Sequence, residues 1–491
     1  MGAPLSTTIA QGRAFMQLID GRSVDALSGA RIDVLCPSDG KVFASIPASG
    51  AADVDLAVKA ARRAFEDGPW SRMPAVERGR CLTRLFHLVE KHGDELAALE
   101  ARDTGKPARQ GKTDVAGTMR YYEFYGGAAD KIHGDTIPFL EGFTALTLRE
   151  PHGVVAGIIP WNYPLQILAR VVGAALAMGN TLVVKPAEDA SLTAIRIAEL
   201  ALEAGVPPGV FNVITGYGRD AGATLSAHPE VDYVTFTGSP LTGTAIQQAA
   251  AVNNRGVTME LGGKSPQIVF ADANIEAALP VLVNAIIQNG GQTCSAGSRV
   301  LIEKPIYERV ATALAERFSA LVAGPHEADR DLGALINAKQ RDRVAGMVAA
   351  AEEAGATVLA RGSIDPDAPS GGFYQPPVLF GSVDPTIQLA QDEVFGPVLA
   401  LLPFDDEADA LRLANGTEFG LVASVWTLDG ARQHRVAKRV RAGQVFVNGY
   451  GAGGGIELPF GGFKKSGHGR EKGFEALFDM SATKTIVFNH G

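Results

Sequence analysis

Residues 51 to 67 place Val54, Ala57, Val58, Ala61 and Phe65 on one face at helical spacing, which predicts an amphipathic helix. Helical patterning continues to about residue 129, whereas residues 131 to 150 carry no helical period and read as extended chain. From 151 to 260 the texture changes to short β-branched runs, VVAGII, TLVVK, VFNVI, YVTF and VTMEL, separated by Ala/Leu-rich stretches and Gly/Pro turns. That alternation predicts parallel βαβ units, and residues 261 to about 445 repeat it. Such sheets take ligands at the carboxyl ends of their strands, where Lys185 follows TLVV and Gly238 follows YVTF, so a nucleotide site is implied.

A chain of 491 residues exceeds what one hydrophobic core usually supports, so two or three structural units are expected. With 45 basic and 54 acidic residues the net charge is −9, and no basic run interleaved with aromatics gives nucleic acid a footprint. The three cysteines, 36, 81 and 294, are too few for a disulfide framework and have no metal-ligand spacing, which fits a reducing cytoplasm. No apolar run reaches membrane-spanning length, and the first residues lack a secretion pattern, so a cytoplasmic enzyme of small molecules is expected.

The candidate chemistry lies in three short strings. In Asn289-Gly290-Gly291-Gln292-Thr293-Cys294-Ser295 a cysteine follows a glycine pair, a backbone flexible enough to leave the thiol facing a ligand. A cysteine alone is more often a small buried hydrophobe, so its neighbours must decide. Glu260, ending a strand before Leu261-Gly262-Gly263-Lys264, offers a general base, although an isolated acid there is more often a surface or capping group. Asn162, in Pro160-Trp161-Asn162-Tyr163-Pro164, offers a neutral amide donor for an oxyanion; its alternative is a solvated turn.

Taken together these strings resemble the aldehyde dehydrogenase superfamily. Its signature blocks occur in family order: PWNYPL at 160, VVKPAED at 183, HPEVDYVTFTGS at 228, ELGGKSP at 260, GGQTC at 290, EVFGPV at 393, NGTEFGL at 415 and PFGGFKKSGHGRE at 459. The resemblance implies that Cys294 attacks an aldehyde, that Asn162 and the cysteine N–H hold the oxyanion, and that Glu260 activates the water that hydrolyses the thioester. It implies a nicotinamide cofactor, NAD in preference to NADP, because Glu188 would repel a 2′-phosphate. Lys185, Pro186 and Glu188 would meet the adenosine ribose; Gly238, Ser239 and Gly243 the pyrophosphate; Glu393 and Phe395 the nicotinamide ribose and ring. Pro160, Trp161 and Leu261 belong to the same cofactor set. Gly218 would pack near the adenine, although Gly216, Gly218 and Gly222 have the wrong spacing for a phosphate fingerprint.

For the substrate, Tyr163, Thr293 and Ser295 are expected at the tunnel, together with Arg170, an arginine inside the apolar stretch LQILARVVGAALA. In the succinic-semialdehyde branch an arginine at this offset faces the substrate, which suggests a carboxylate-tailed aldehyde. Gln288 and Gly455 stand where that branch carries its further arginine and serine, and CSAGSR looks instead like the betaine-aldehyde branch. A general aliphatic or aromatic aldehyde and an amino-aldehyde therefore stay open, as does a structural salt bridge for Arg170. A CoA-acylating relative would lack Glu260, and a catalytically silent one would lack Cys294 or Glu260.

The implied fold is α/β: a Rossmann-like cofactor domain over 1–129 and 151–260, a catalytic α/β domain over 261–473, and a small β arm from 130–150 and 474–491. The tail from Ser481 to Phe488 suits a strand added to a neighbour's sheet in a homodimer or homotetramer.

Overall fold

The computed structural model describes residues 12–451 and 455–491. After short strands between residues 13 and 47, four helices follow: α1 (Ala51–Glu66), α2 (Ala75–Lys91), α3 (Gly93–Thr104) and α4 (Ala108–Ala128). The apolar face expected of α1 is the one it buries, with Val54, Ala57, Val58 and Ala61 in the core. After α4 the chain is extended as expected, and β1 (Phe143–Pro151) leads into β2 (Val154–Ile159), α5 (Pro164–Ala177), β3 (Thr181–Pro186), β4 (Phe211–Val213) and β5 (Tyr233–Thr237). Then follow α6 (Pro240–Ala251), β6 (Gly256–Glu260), β7 (Pro266–Val269), α7 (Ile275–Ile287) and β8 (Arg299–Glu303).

Strands β6, β5, β2, β3 and β4 lie side by side and parallel, so each of the five β-branched runs is a strand of one doubly wound sheet. Every residue of β2, β3 and β5 is buried, because helices cover both faces; hence the continuous apolar runs rather than alternation. Gln17–Ile19 pairs antiparallel to β4, with Arg22–Val24 beyond it at that edge, and Gly467–His468 closes the other edge antiparallel to β6. The second pairing crosses the expected division at residue 260, because the chain returns from the second unit to the first.

The second sheet has seven strands, in the order 357–361, 378–381, 398–404, β8, β7, 422–426 and 444–447. All its pairings are parallel except that between 357–361 and 378–381. Apolar clusters fill both faces of both sheets.

The tail strand β9 (Ser481–Asn489) pairs antiparallel along its whole length with β1 of its own chain, from Ser481 opposite Pro151 to Asn489 opposite Phe143. The expected addition to a neighbour's sheet is thus corrected on one side: nine backbone partners lie within the chain, and β9 is the edge strand of a three-stranded arm. Among the described residues no helix is long and apolar enough to cross a membrane.

Candidate active site

The site forms where the carboxyl ends of β2, β5 and β6 face the loop between α7 and β8. Asn162 sits in the turn from β2 to α5. Its backbone carbonyl accepts from Lys106 Nζ at 3.2 Å and from Asn289 Nδ2 at 2.8 Å. Lys106, in the bend between α3 and α4, is fully buried between the carboxylates of Glu100 and Asp114. A buried ammonium held by two acids and donating to a turn carbonyl fixes that turn against the loop bearing Cys294. The Asn162 side-chain amide donates to the Gln292 carbonyl at 3.0 Å, which leaves its second N–H for another acceptor.

The Cys294 loop owes its shape to three successive left-handed residues, Asn289 (φ 51°), Gly290 (φ 62°) and Gly291 (φ 73°). At Gly291 a Cβ would stand 2.1 Å from the Gly396 carbonyl oxygen, so conformation and space both require glycine. Asn289 tolerates the same region and uses its amide to tie the loop to Asn162. Gln292 reaches back to the Asn289 carbonyl at 3.0 Å and accepts from the Ile336 N–H at 2.9 Å. On the other wall, a Cβ on Gly263 would lie 2.3 Å from the Cys294 carbonyl oxygen, which explains a glycine beside the strand end that carries Glu260.

Two chambers meet at this point. One is lined by Pro160, Trp161, Gly238, Ser239, Glu393 and Phe395, together with Glu260; the other is lined by Tyr163, Arg170, Gln288, Thr293 and Ser295. Asn162 and Cys294 belong to the walls of both. In the first chamber Glu393 accepts from the Gly263 N–H at 2.9 Å, and the Phe395 ring meets Trp161 edge-on with centroids 5.3 Å apart. Arg343 donates to the Glu393 carbonyl at 2.7 Å, and Gln340 to the Phe395 carbonyl at 2.7 Å. In the second, the Tyr163 and Thr293 hydroxyls share a hydrogen bond of 3.0 Å.

The charges here are buried and strained. Both Glu260 carboxylate oxygens are buried, and neither has a hydrogen-bond partner among the described residues. Burial, reinforced by Glu471, pushes its carboxyl well above the usual range, against the pull of Arg170, Arg470 and Lys472. Burial likewise pushes the Cys294 thiol up to about 12, with Arg170 drawing it back. The first chamber thus holds in its lining a carboxyl with a raised proton affinity and a thiol whose acidity burial suppresses.

Other expected positions fall outside the two chambers. Lys185, Pro186 and Glu188 lie at the end of β3, with Lys185 Nζ 3.2 Å from Glu188 Oε2. Gly218 opens a short π-helical turn, Gly218–Gly222, whose last residue faces the Lys185 stem. Gly243 is buried inside α6 and packs against Leu261, so both support the chamber from behind. Gly455 is in neither wall. Arg170 lines the second chamber, but its guanidinium is ion-paired with Glu471, a buried partner supplied by the returning chain. Sequence reading missed Lys472, Tyr450, Phe460, Gln166, Gln340 and Arg343. Phe460 lies in the block that begins at Pro459, whereas Tyr450 and Lys472 stand near the end of the chain with no local pattern to mark them.

Fold and crevice together define an α/β protein in which two chambers share Cys294 and Asn162 in their walls. The family profile described as "Aldehyde dehydrogenase family" matches residues 24–486. The chain belongs to that family. A candidate aldehyde dehydrogenase from Burkholderia cenocepacia is 58% identical, with a TM-score of 0.96 over 97% of this chain and 100% of that one. Betaine aldehyde dehydrogenase from Staphylococcus aureus, solved in complex with NAD+, is 35% identical, with a TM-score of 0.94 over 97% and 95%. Aldehyde dehydrogenase family 2 member B4, mitochondrial, of Arabidopsis thaliana is 44% identical over 473 residues, 96% of this chain and 87% of that protein.

Proposed function

We propose that the protein oxidises an aldehyde to its carboxylic acid at Cys294, with NAD as oxidant, and that the substrate carries a carboxylate tail. The observation that carries the reaction is the position of Cys294 and Asn162 in the wall between two chambers, with Glu260 on one side. The Cys294 sulfur adds to the aldehyde carbon while its proton passes to Glu260, and the alkoxide is held by the free amide N–H of Asn162 and the backbone N–H of Cys294. A bound nicotinamide supplies the hydride acceptor that turns this adduct into a thioester. Glu260, having released its proton, takes another from water; the new hydroxide attacks the thioester carbon, the C–S bond breaks, and acid and thiol separate. The presence of Glu260 supports release to water rather than transfer to a second thiol.

The first chamber fits a dinucleotide. Strand-end turns at Pro160–Trp161 and Gly238–Ser239 line it, Ser239 caps α6 through the Thr242 N–H at 3.2 Å, and Glu393 and Phe395 close its inner end. Lys185 and Glu188 would meet the far ribose, and the Glu188 carboxylate favours NAD over NADP. The S. aureus relative holds NAD+. Arg170 and Lys472, the two charged side chains lining the second chamber among the described residues, are both cationic, which supports an anionic tail. A neutral aldehyde is the second reading, favoured by the closed Arg170–Glu471 pair. Three free cysteines suit a reducing compartment such as the cytoplasm.

Cys294→Ala tests the reaction. It is expected to abolish NADH formation with every aldehyde while calorimetry still detects NAD binding; retained turnover overturns the assignment.

A further inference from the structure

The second chamber is lined by several polar side chains, and most of their hydrogen bonds are already made. The Tyr163 hydroxyl shares one with Thr293 at 3.0 Å and accepts another from Gln110 at 3.3 Å. Gln166 donates its amide to Asp114 at 2.7 Å, and the Tyr450 hydroxyl donates to the Ser295 carbonyl. Arg170 is ion-paired with Glu471. Asn284, Gln288 and Ser295 are exposed or half-buried, so water can serve them.

Tyr121, on α4, stands apart. It lines the chamber while only 1% exposed, and its hydroxyl has no hydrogen-bond partner among the described residues. The hydroxyls of Tyr122 and Tyr125 on the same helix also lack partners, but those residues lie in the core and neither lines the chamber. A buried hydroxyl without a partner is costly unless water or a ligand accepts from it. The Tyr121 ring is packed in the core and lies nearly parallel to that of Tyr125, with centroids 6.4 Å apart, so the hydroxyl is presented at a fixed point of the wall. Burial pushes the phenol up, against the pull of Arg170, so the hydroxyl keeps its proton and stays a donor at neutral pH.

We infer that Tyr121 is a specificity-determining residue of the substrate chamber, whose hydroxyl donates a hydrogen bond to an oxygen atom on the tail of the aldehyde. The inference rests on the reading of Cys294 as the aldehyde-binding thiol. Ile167, Val281, Ala285 and Phe460 line the same chamber. A donor held rigidly beside such apolar groups reads one acceptor on the ligand, whereas a hydrocarbon tail leaves it unpaired. A carboxylate and a neutral carbonyl supply the same acceptor.

The test compares succinic semialdehyde, its methyl ester and butanal for the wild type and Tyr121→Phe, which removes one oxygen atom and keeps the ring. For one or both of the aldehydes with an oxygen on the tail, Tyr121→Phe is expected to lower kcat/KM at least ~5-fold, the scale of one hydrogen bond, chiefly through KM. For butanal the change should stay below ~2-fold, since no hydrogen bond is lost. A loss confined to the acid assigns the donor to a carboxylate, and a loss confined to the ester assigns it to a neutral carbonyl. An equal change for all three aldehydes overturns the inference, because a residue that only supports the fold does not tell the tails apart.

A turnover-free measurement separates this inference from the reaction assigned to Cys294. Succinamate, its methyl ester and butyramide are tested for protection of Cys294 from iodoacetamide, read by mass spectrometry. In Tyr121→Phe one or both of the first two should lose potency at least ~5-fold relative to butyramide. Unchanged relative potencies overturn the inference. NADH from none of the aldehydes would overturn the reaction assigned to Cys294, and the protection measurement then decides Tyr121 by itself.

Discussion

At the residue scale, the site works by holding groups in protonation states that water would not favour. Glu260 shows this most clearly, since neither of its oxygens has a partner among the described residues and its acidity is suppressed by burial and by Glu471. Glu260→Gln keeps the shape and removes the base. It is expected to lower the steady-state rate at least ~100-fold, the scale of a lost general base, and to slow the burst of NADH that stopped-flow absorbance records, because Glu260 takes a proton in both halves of the reaction. A burst of unchanged rate beside a lost steady-state rate would confine Glu260 to the hydrolysis. The strings around Cys294, Glu260 and Asn162 made these residues legible, because each lies in a short segment whose chemistry is local. Arg170 was legible as a buried charge, with a substrate anchor and a structural salt bridge both open, but its partner was not, because Glu471 lies some three hundred residues away.

At the element scale, the site depends on a support that touches no ligand. Lys106 joins α3, α4 and the β2–α5 turn through Glu100, Asp114 and the Asn162 carbonyl. Removing one member of a buried ionic cluster costs more than the interaction it made, because the others keep their burial without compensation. Lys106→Met is expected to lower unfolding stability by about 3–5 kcal/mol in urea titration, the range for a broken buried pair. An effect within about 0.5 kcal/mol, typical of surface changes, would show that the two acids protonate at no cost. The parallel strands were readable because a strand buried on both faces must be apolar along its length. The bend holding Lys106 was not, since Asp-Thr-Gly-Lys-Pro has no period and its lysine looks like any surface charge. The same holds for Gly467–His468, two residues that gain meaning only by pairing with β6.

At the scale of the whole molecule, the arm is the part least satisfied within one chain. Strand β9 keeps an outer edge, and Phe139, Leu140, Leu148, Val487 and Phe488 are exposed on or beside the sheet. An exposed apolar sheet with a free edge calls for another surface, and the simplest is a second copy. Sedimentation velocity at micromolar concentration is expected to show a dimer or tetramer, and deletion of residues 481–491 should shift it toward monomer. A monomeric full-length protein would rule the arm out as an association device. The alternation of the tail revealed a strand but not its partner, because β1 offers a register that no local pattern encodes.

The two chambers differ in what builds them. Turns at the ends of strands line the first, whereas side chains from α5 and α7, among them Ile167, Arg170, Val281 and Ala285, line much of the second. Residues along a helix flank can be exchanged one at a time without disturbing the turns opposite. The lineage is therefore free to explore new diets while its redox currency stays fixed, and a laboratory campaign to redirect this catalyst can confine its library to those two helices.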